Sequence, residues 1–281
     1  MTDTDPTPIL VLGANGKTGR RVVDRLTAAE LPVRAGSRRG SPPFDWNDPA
    51  TWAPVLDGVR AAYISYYPDL AVPGAVEATG KFAKLAVDRG VNRLVLLAGR
   101  GEAEAERAEE AVADSGADLT VVRSTWFMQN FSEGDFRGQL LSGLVTLPAG
   151  DMVEPFVDAD DIADVAVAAL TEDGHAGQLY ELTGPRLLTF AEAIDEISQA
   201  TGRQILYAPV SVEEFAAAMA AHGVPAEAIE IFSFLFGEVL DGRNAHLTDG
   251  VQRALGRAPR DFTEFAKDAA AAGAWDTSQE G

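Results

Sequence analysis

The chain has 281 residues, a formal net charge of −20 and no cysteine. The negative charge opposes binding to nucleic acid or to an anionic membrane surface, and the absence of thiols excludes disulfides, cysteine nucleophiles and cysteine metal ligands. No apolar run approaches the roughly 18 residues of a membrane span, and the acidic, polar start of the chain is unlike a signal peptide, so we expect a cytoplasmic protein whose partner is a small-molecule substrate.

The first predicted elements are a buried strand at residues 9–12, a glycine-rich turn and an amphipathic helix. Gly13, Gly16 and Gly19 recur at every third position in the turn. Glycines let the backbone approach a phosphate without a Cβ clash, and the N-terminus of the helix offers backbone amides and the positive end of its dipole. This order of strand, turn and helix predicts a site for a dinucleotide pyrophosphate.

The second predicted strand, at residues 33–36, is followed by Ser37, Arg38 and Arg39. A site specific for NAD usually has an acidic residue here that accepts from the ribose 2′-hydroxyl. No acidic residue lies between positions 31 and 43. Two guanidiniums and a hydroxyl suit a 2′-phosphate instead, so the sequence favours NADP(H) over NAD(H).

Strand and helix patterns then alternate along the first half of the chain. Residues 44–46 are a candidate third strand, and further strands are predicted at 60–65, 93–98 and 119–123, with helices at 71–88 and 102–114. Such alternation predicts an α/β fold with a Rossmann-type, doubly wound parallel sheet. Beyond about residue 132, short strands and helices intermix. We expect residues 1–150 to form the NADP(H)-binding domain and residues 151–281 mainly a small α/β substrate lobe, with some segments returning to the sheet.

Ligands of open α/β sheets bind beyond the carboxyl ends of the strands, which points to three further segments. Ser65 and Tyr66 follow one predicted strand, residues 99–101 follow the next, and residues 124–131 follow the last. Aromatic walls and an amide make the following residues candidate substrate contacts, although the same aromatic side chains are equally typical of a core: Tyr66, Tyr67, Trp126, Phe127 and Asn130. Tyr66 is also a candidate proton donor.

Two acidic runs are interpreted as structural. The run at residues 102–110 is typical of a solvated helix face. Asp158, Asp160 and Asp161 precede an apolar run, which favours helix capping and interaction with the helix dipole over metal binding. No metal site is predicted.

Short-chain dehydrogenases commonly pair a tyrosine with a lysine four positions later, because the lysine lowers the pKa of the proton-donating phenol. None of the five tyrosines (63, 66, 67, 180 and 207) has a lysine at that spacing. Ketone reduction by a tyrosine–lysine pair of this kind is therefore excluded. Two interpretations remain open. Hydride delivery to an iminium needs no simultaneous proton donor, and an acidic protein attracts a cation; alternatively, the chain binds the dinucleotide without turnover.

Several phrases together resemble the NmrA-like atypical short-chain dehydrogenase/reductases: GANGKTGRRV (13–22), LAGRGE (97–102), RSTWFMQNF (123–131), EPFVDADDIADVA (154–166) and GRAPRDF (256–262). Two others, FDWNDPATW (44–52) and YELTGPR (180–186), look most like the bacterial relatives of the ergot-alkaloid reductases. The resemblance covers nearly the whole chain and implies a Rossmann-type domain, a small substrate lobe and the use of NADPH.

The resemblance also implies roles for individual residues. The phosphate loop would comprise Gly13, Asn15, Gly16, Lys17, Thr18 and Gly19. Contacts to the 2′-phosphate would come from Ser37, Arg38 and Arg39, and Ser65 and Gly99 would run past the nicotinamide ribose. Fungal members of the ergot-alkaloid branch reduce an iminium carbon, and the wider family includes quinone reductases and dinucleotide sensors without catalysis.

We therefore expect an NADPH-dependent reductase that delivers hydride to a small organic acceptor, with an iminium favoured. A non-catalytic NADP(H) sensor and a quinone reductase remain the alternatives. The sequence leaves open the identity of the acceptor, the hydride face and the oligomeric state.

Overall fold

A computed structural model of the chain describes residues 6–134 and 136–276. These residues form ten strands: β1 (Ile9–Leu12), β2 (Val33–Gly36), β3 (Ala61–Ile64), β4 (Arg93–Gly99), β5 (Asp118–Ser124), β6 (Leu144–Leu147), β7 (Val153–Glu154), β8 (Leu179–Leu182), β9 (Leu188–Thr189) and β10 (Leu206–Pro209).

The same residues form eleven α-helices: α1 (Lys17–Ala28), α2 (Trp52–Leu56), α3 (Ala75–Asp88), α4 (Ala103–Ala113), α5 (Arg137–Ser142), α6 (Ala159–Thr171), α7 (Phe190–Thr201), α8 (Val212–Ala221), α9 (Ala226–Phe234), α10 (Gly250–Leu255) and α11 (Phe262–Ala271). A π-helical turn (Leu235–Val239) continues α9. Within residues 6–134 and 136–276, no helix combines the length and the apolar character that crossing a membrane requires.

Six strands form one parallel sheet in the order β2-β1-β3-β4-β5-β8. The predicted α/β fold with a Rossmann-type parallel sheet is confirmed. The chain moves outward from β1 in both directions, to β2 on one side and to β3 on the other. In folds of this class ligands bind beyond the carboxyl ends of the strands at such a point, which here is formed by β1 and β3.

Side chains alternate between the two faces of this sheet, as the period of a strand requires. Leu10, Leu12 and Ile64 belong to a buried cluster that also contains Phe82 of α3. Tyr63, next to Ile64, points the other way, and its hydroxyl donates to a side chain of α1. Helix α3 packs against α4, and α1 packs against α6. Both faces are covered by helices, which explains why the strands are apolar throughout.

The predicted third strand at residues 44–46 is wrong. This segment is irregular, and its aromatic side chains serve packing: Phe44 and Trp46 meet edge-on with ring centroids 4.9 Å apart, and both contact Phe82. The Phe44 N–H donates to the Ser37 carbonyl at 2.9 Å. The apolar residues therefore reflect burial in a loop and not pairing with a neighbouring strand.

The described residues divide into two compact units, each assembled from three segments. The first unit runs to Ser124 and adds Ala159–Leu182 and Asp249–Arg257, so that β8, α6 and α10 join the six-stranded sheet and its helices. The second unit contains Thr125–Asp158, Thr183–Thr248 and the residues from Ala258 onward. The functional division at residue 150 stays a prediction.

The second unit is built around phenylalanine. It contains a parallel pair, β6 with β10, and an antiparallel pair, β7 with β9. Five fully buried side chains form the centre of its core: Phe131, Phe136, Phe156, Phe190 and Phe262. Helices α7 and α8 both begin with capping boxes, in which the side chains of the cap and of the third helical residue satisfy backbone amides.

Candidate cofactor and substrate sites

The glycine-rich turn connects β1 to the first turn of α1. Gly13 has a left-handed backbone, with φ +68°, and its carbonyl accepts the Gly16 N–H at 2.8 Å. A Cβ on Gly19 would lie 2.7 Å from the carbonyl carbon of Gly13, closer than non-bonded carbon atoms approach. Gly16 caps α1 without a side-chain hydrogen bond. The positive end of the helix dipole is therefore left open to an anion.

The other residues of the predicted phosphate loop differ in what they can offer. Asn15 is exposed and Lys17 is half-buried. Thr18 is buried, and its hydroxyl accepts a hydrogen bond from the Tyr63 hydroxyl at 2.9 Å. Because the Thr18 side chain already binds Tyr63 of β3, the group that Thr18 can offer to a phosphate is its backbone amide. Their role in cofactor binding stays a prediction.

Beyond β2 the backbone turns back on itself, because the Ser37 carbonyl accepts from the N–H groups of Gly40 and Phe44, each at 2.9 Å. Arg38 and Arg39 are exposed on this turn. Within residues 6–134 and 136–276 neither guanidinium forms an ion pair or a hydrogen bond. Both positive charges therefore remain available to a phosphate.

The segment after β3 contains the predicted Ser65, Tyr66 and Tyr67. A Cβ on Gly13 would lie 3.1 Å from the Cβ of Ser65, so the structure brings these two predicted cofactor residues together. The Tyr66 ring packs against Trp46 with centroids 4.9 Å apart, and burial raises the pKa of its hydroxyl. Tyr67 is 74% exposed. Burial thus makes the Tyr66 phenol a weaker acid, the opposite of the lysine-assisted tyrosine of related enzymes.

Strand β4 ends at Gly99, and beside this glycine lies a carboxyl group that was not among the predicted site residues. Glu102 is only 6% exposed, and its side chain meets that of Asp69, which follows β3. Burial and the nearby negative charge of Asp69 raise the pKa of Glu102 to about 9. The signal was present in the sequence: carboxylates follow both strands at the edge where ligands bind.

The interpretation of residues 102–110 as a solvated helix face is wrong for two of its members. Glu102 is buried, and so is Glu109, whose carboxylate accepts from the Arg123 guanidinium at 2.5 and 2.9 Å. Burial raises the pKa of Glu109, and the Arg123 contact opposes that shift. The pattern failed because the face of α4 that rests on β5 is partly acidic, with Arg123 of β5 as the partner.

The acidic run before and within α6 is held by arginines. Asp160 and Asp161 lie in the first helical turn, as predicted. Asp160 accepts from Arg25 at 2.7 Å, and Asp161 accepts from Arg257 at 2.7 Å. Asp158 accepts from the Gln129 amide at 2.8 Å. Charge pairing thus accounts for this run, and the described part of the chain contains no cluster of three acidic or histidine residues suited to a metal ion.

The predicted substrate residues Trp126, Phe127 and Asn130 lie in the second unit, immediately after its start at Thr125. Trp126 is half-buried and joins the phenylalanine core, with its ring centroid 4.8 Å from that of Phe236. Phe127 bridges to Val157, and Asn130 ends a short 3-10 turn. Trp126 therefore packs on one side and is partly exposed on the other. A role for these residues in substrate binding stays a prediction.

A groove of about 760 Å³ is also present in the second unit, beside helix α7. Its polar lining includes Arg186, Glu196 and Thr263, which are bound to one another: Arg186 and Thr263 both donate to Glu196 at 2.9 Å. None of the predicted substrate residues lines this groove. Because these three polar side chains bind one another, we assign the groove no ligand.

Three relatives of known sequence align over almost their whole length. They are an uncharacterized oxidoreductase of Bacillus subtilis, YesF (31% identity, 92% of this chain and 94% of the relative), agroclavine dehydrogenase of Claviceps fusiformis (30%, 92% and 96%) and NAD(P)H azoreductase of Xenophilus azovorans (31%, 94% and 98%). No family model matches the chain.

Solved structures share the fold at lower identity. Triphenylmethane reductase of Citrobacter, complexed with NADP(H), superposes with a TM-score of 0.75 at 23% identity over 93% of this chain and 99% of that one. An NADPH-dependent quinone oxidoreductase of Escherichia coli, in complex with NADPH, gives 0.77 at 21% identity over 92% and 99%. NmrA, a negative transcriptional regulator, gives 0.71 at 16% identity over 98% and 99%.

Proposed function

Because the chain belongs to the NmrA-like family of atypical short-chain dehydrogenase/reductases, we propose that it transfers hydride from NADPH to a carbon–nitrogen double bond of a small organic acceptor. The family, the oxidoreductase class and NADP(H) as cofactor agree with the predictions from sequence. The chemical class of the acceptor and the residues that hold it are our proposal.

The glycine-rich turn and the two arginines after β2 carry the cofactor part of this proposal. The turn places the uncapped N-terminus of α1 beyond β1, where a pyrophosphate would be neutralised by the helix dipole. Arg38 and Arg39 follow the neighbouring strand, and no acidic side chain between positions 31 and 43 competes for them. A guanidinium gives a phosphate two parallel charge-assisted hydrogen bonds. A 2′-phosphate therefore fits this turn better than a free hydroxyl.

The acceptor class follows from what the chain lacks and from its relatives. No tyrosine precedes a lysine by four positions, and the Tyr66 phenol is made less acidic by burial. An iminium carbon already carries the activation that a ketone gains from a proton donor. One relative is a dehydrogenase of agroclavine, and another reduces an azo group, which is a double bond between nitrogen atoms. These features support a carbon–nitrogen acceptor, and the net charge of −20 favours a cationic one.

The cofactor assignment is tested by titrating NADPH and NADH into wild type and Arg38→Ala. We expect the dissociation constant for NADPH to rise by about 10- to 100-fold, because a hydrogen bond to a charged group contributes about 1.5–3 kcal/mol. The constant for NADH should stay near its wild-type value. Arg107→Ala, which removes an exposed arginine from α4, is the matched control. Equal weakening of both dinucleotides in Arg38→Ala would contradict the assignment.

The acceptor class is tested by following NADPH consumption with a panel of cyclic iminium ions, quinones and enals. We expect turnover with the iminium ions. Trp126→Ala should lower kcat/KM for a cationic acceptor by about 10-fold, because an aromatic face contributes about 1–2 kcal/mol to holding a cation. Turnover confined to quinones, with a further loss in Tyr66→Phe, would support the quinone alternative. Tight NADPH binding without any turnover would support the sensor.

A further inference from the structure

Two carboxyl groups meet where strands β3 and β4 end. Asp69 lies in the segment after β3, and Glu102 lies three residues after the end of β4, at the N-cap position of α4, where its side chain makes no capping hydrogen bond. The two strands are parallel neighbours in the central sheet, so their carboxyl ends share one edge. The phosphate loop follows β1, which pairs with the other side of β3. The carboxyl pair therefore lies at the edge of the sheet that we propose binds the dinucleotide.

The Glu102 carboxyl occupies a space that only glycine can leave open. A Cβ on Gly99 would lie 2.6 Å from Oε2 of Glu102 and nearer still to Oε1. Glu102 is only 6% exposed, and its Oε2 has no hydrogen-bond partner among the described residues. Gly99 is also a residue that we expect beside the nicotinamide ribose. A buried, partly unsatisfied carboxyl thus rests against the backbone of the proposed cofactor site.

The surroundings of this pair favour one retained proton. Burial and Asp69 raise the pKa of Glu102, and the protonated Glu102 donates a hydrogen bond to the Asp69 carboxylate. Burial also raises the pKa of Asp69, while that hydrogen bond and the Ala71 N–H, 2.7 Å from Oδ1, lower it. At neutral pH the pair therefore retains one proton.

The charged side chains nearest to this pair along the chain form ion pairs with other residues. Arg100 lies 3.8 Å from Glu181. Glu106, one turn along α4 from Glu102, lies 3.5 Å from Arg123. Within residues 6–134 and 136–276, no lysine or arginine forms an ion pair with Asp69 or Glu102, whereas Arg123 pairs with Glu109.

We propose that the Asp69–Glu102 pair is the proton donor for reduction of a neutral imine, an inference that rests on the proposed function. The O–H bond of the pair breaks and an N–H bond forms at the imine nitrogen. The imine carbon gains a C–H bond with the electron pair of the hydride that NADPH supplies. The products are the amine and NADP⁺, and the pair regains one proton from water. The pair protonates the nitrogen of a neutral imine, whereas a permanently charged iminium is reduced without it.

The test compares a neutral cyclic imine with the permanently charged N-methyl iminium of the same ring, above the pKa of the imine. The charged substrate needs no proton. The kcat/KM for the neutral imine divided by that for the charged iminium therefore isolates the proton-transfer step. In Glu102→Gln we expect this ratio to fall by about 100-fold or more, the usual contribution of a positioned acid. Glu110→Gln, an exposed carboxylate on the same helix, is the matched control. An unchanged ratio in Glu102→Gln would overturn the inference.

Asp69→Asn gives a second and independent readout. Removal of the negative neighbour lowers the pKa of Glu102, so the fall of the ratio at alkaline pH should begin at a lower pH than in wild type. A merely structural role would not change the pH at which the ratio begins to fall. If this pH is the same in Asp69→Asn and in wild type, the inference is overturned. If wild type reduces the charged iminium but the ratio is unchanged in both variants, the inference fails and the proposed function is retained. Failure of wild type to reduce either substrate would overturn both proposals.

Discussion

Replacement of Gly19 by alanine should separate helix α1 from strand β1. The new Cβ would lie 2.7 Å from the carbonyl carbon of Gly13, closer still to its oxygen, and 3.1 Å from the Cα of Ala14. All three atoms belong to the backbone, so no side chain can rotate away. Ordinary contact begins at 3.4 Å, and relief therefore requires a movement of about 1 Å between the helix and the turn, which is overpacking of the usual kind.

The magnitude follows from this displacement. Overpacking of a well-packed site costs about 1–3 kcal/mol, so we expect the free energy of unfolding to fall by that amount. The same movement shifts the amides at the start of α1 away from the position that we propose for the pyrophosphate. Loss of one hydrogen bond to a charged group weakens binding by about 1.5–3 kcal/mol, so the dissociation constant for NADPH should rise by about 10- to 100-fold.

Urea unfolding and a fluorescence titration with NADPH measure the two effects. Gly138→Ala is the matched control, because its Cβ meets no atom within 4 Å and alanine suits the interior of α5 better than glycine. That control should keep the wild-type affinity and gain slightly in stability. A Gly19→Ala protein with wild-type stability and affinity would refute the packing of the turn against the helix.

Three further predictions concern stability. Tyr63→Phe removes the 2.9 Å hydrogen bond to the buried Thr18 hydroxyl and should lower the unfolding free energy by about 1 kcal/mol in urea; no change would indicate that Thr18 finds another partner. Glu102 has a pKa raised from 4.5 to about 9, so its contribution to stability is complete below pH 4.5 and is lost as pH rises toward 9. The stability of Glu102→Gln relative to wild type should therefore increase over that range by up to about 1.4 kcal/mol per pH unit, and a pH-independent difference would contradict the shift. Arg123→Leu leaves the buried Glu109 without its partner and should cost about 3 kcal/mol at pH 8, with a smaller loss at pH 5 where Glu109 can bind a proton; equal losses at both pH values would contradict this account.

Local features of the chain were predicted well where neighbouring residues decide the conformation. The run Ile-Leu-Val-Leu before Gly13 is typical of a buried strand, and the glycine spacing that follows is typical of a turn into a helix. The alternation of strands and helices led to a parallel sheet, because parallel strands need crossover helices. The resemblance to the NmrA-like family rests on phrases of this local kind.

Predictions failed where a distant residue decides the environment. The apolar residues around Phe44 and Trp46 suggested a strand, but the ring of Phe82 from α3 holds them in a loop. Glu102 belongs to an acidic run that looked solvated, yet the space beside Gly99 buries it. Neither outcome is visible within a short window of sequence, because the partner lies on another element.

The sequence by itself determined the first strand, the glycine-rich turn and the helix that follows it, the basic turn after the second strand and the family. These properties depend on backbone freedom and on the order of residues over short distances. Only the tertiary structure decided that β8 adds to β5 in the central sheet, and that Asp69 and Glu102 share one environment at the ends of β3 and β4. Strand order and the pKa of a buried carboxyl depend on which distant groups come together, and that proximity exists only after the chain has folded.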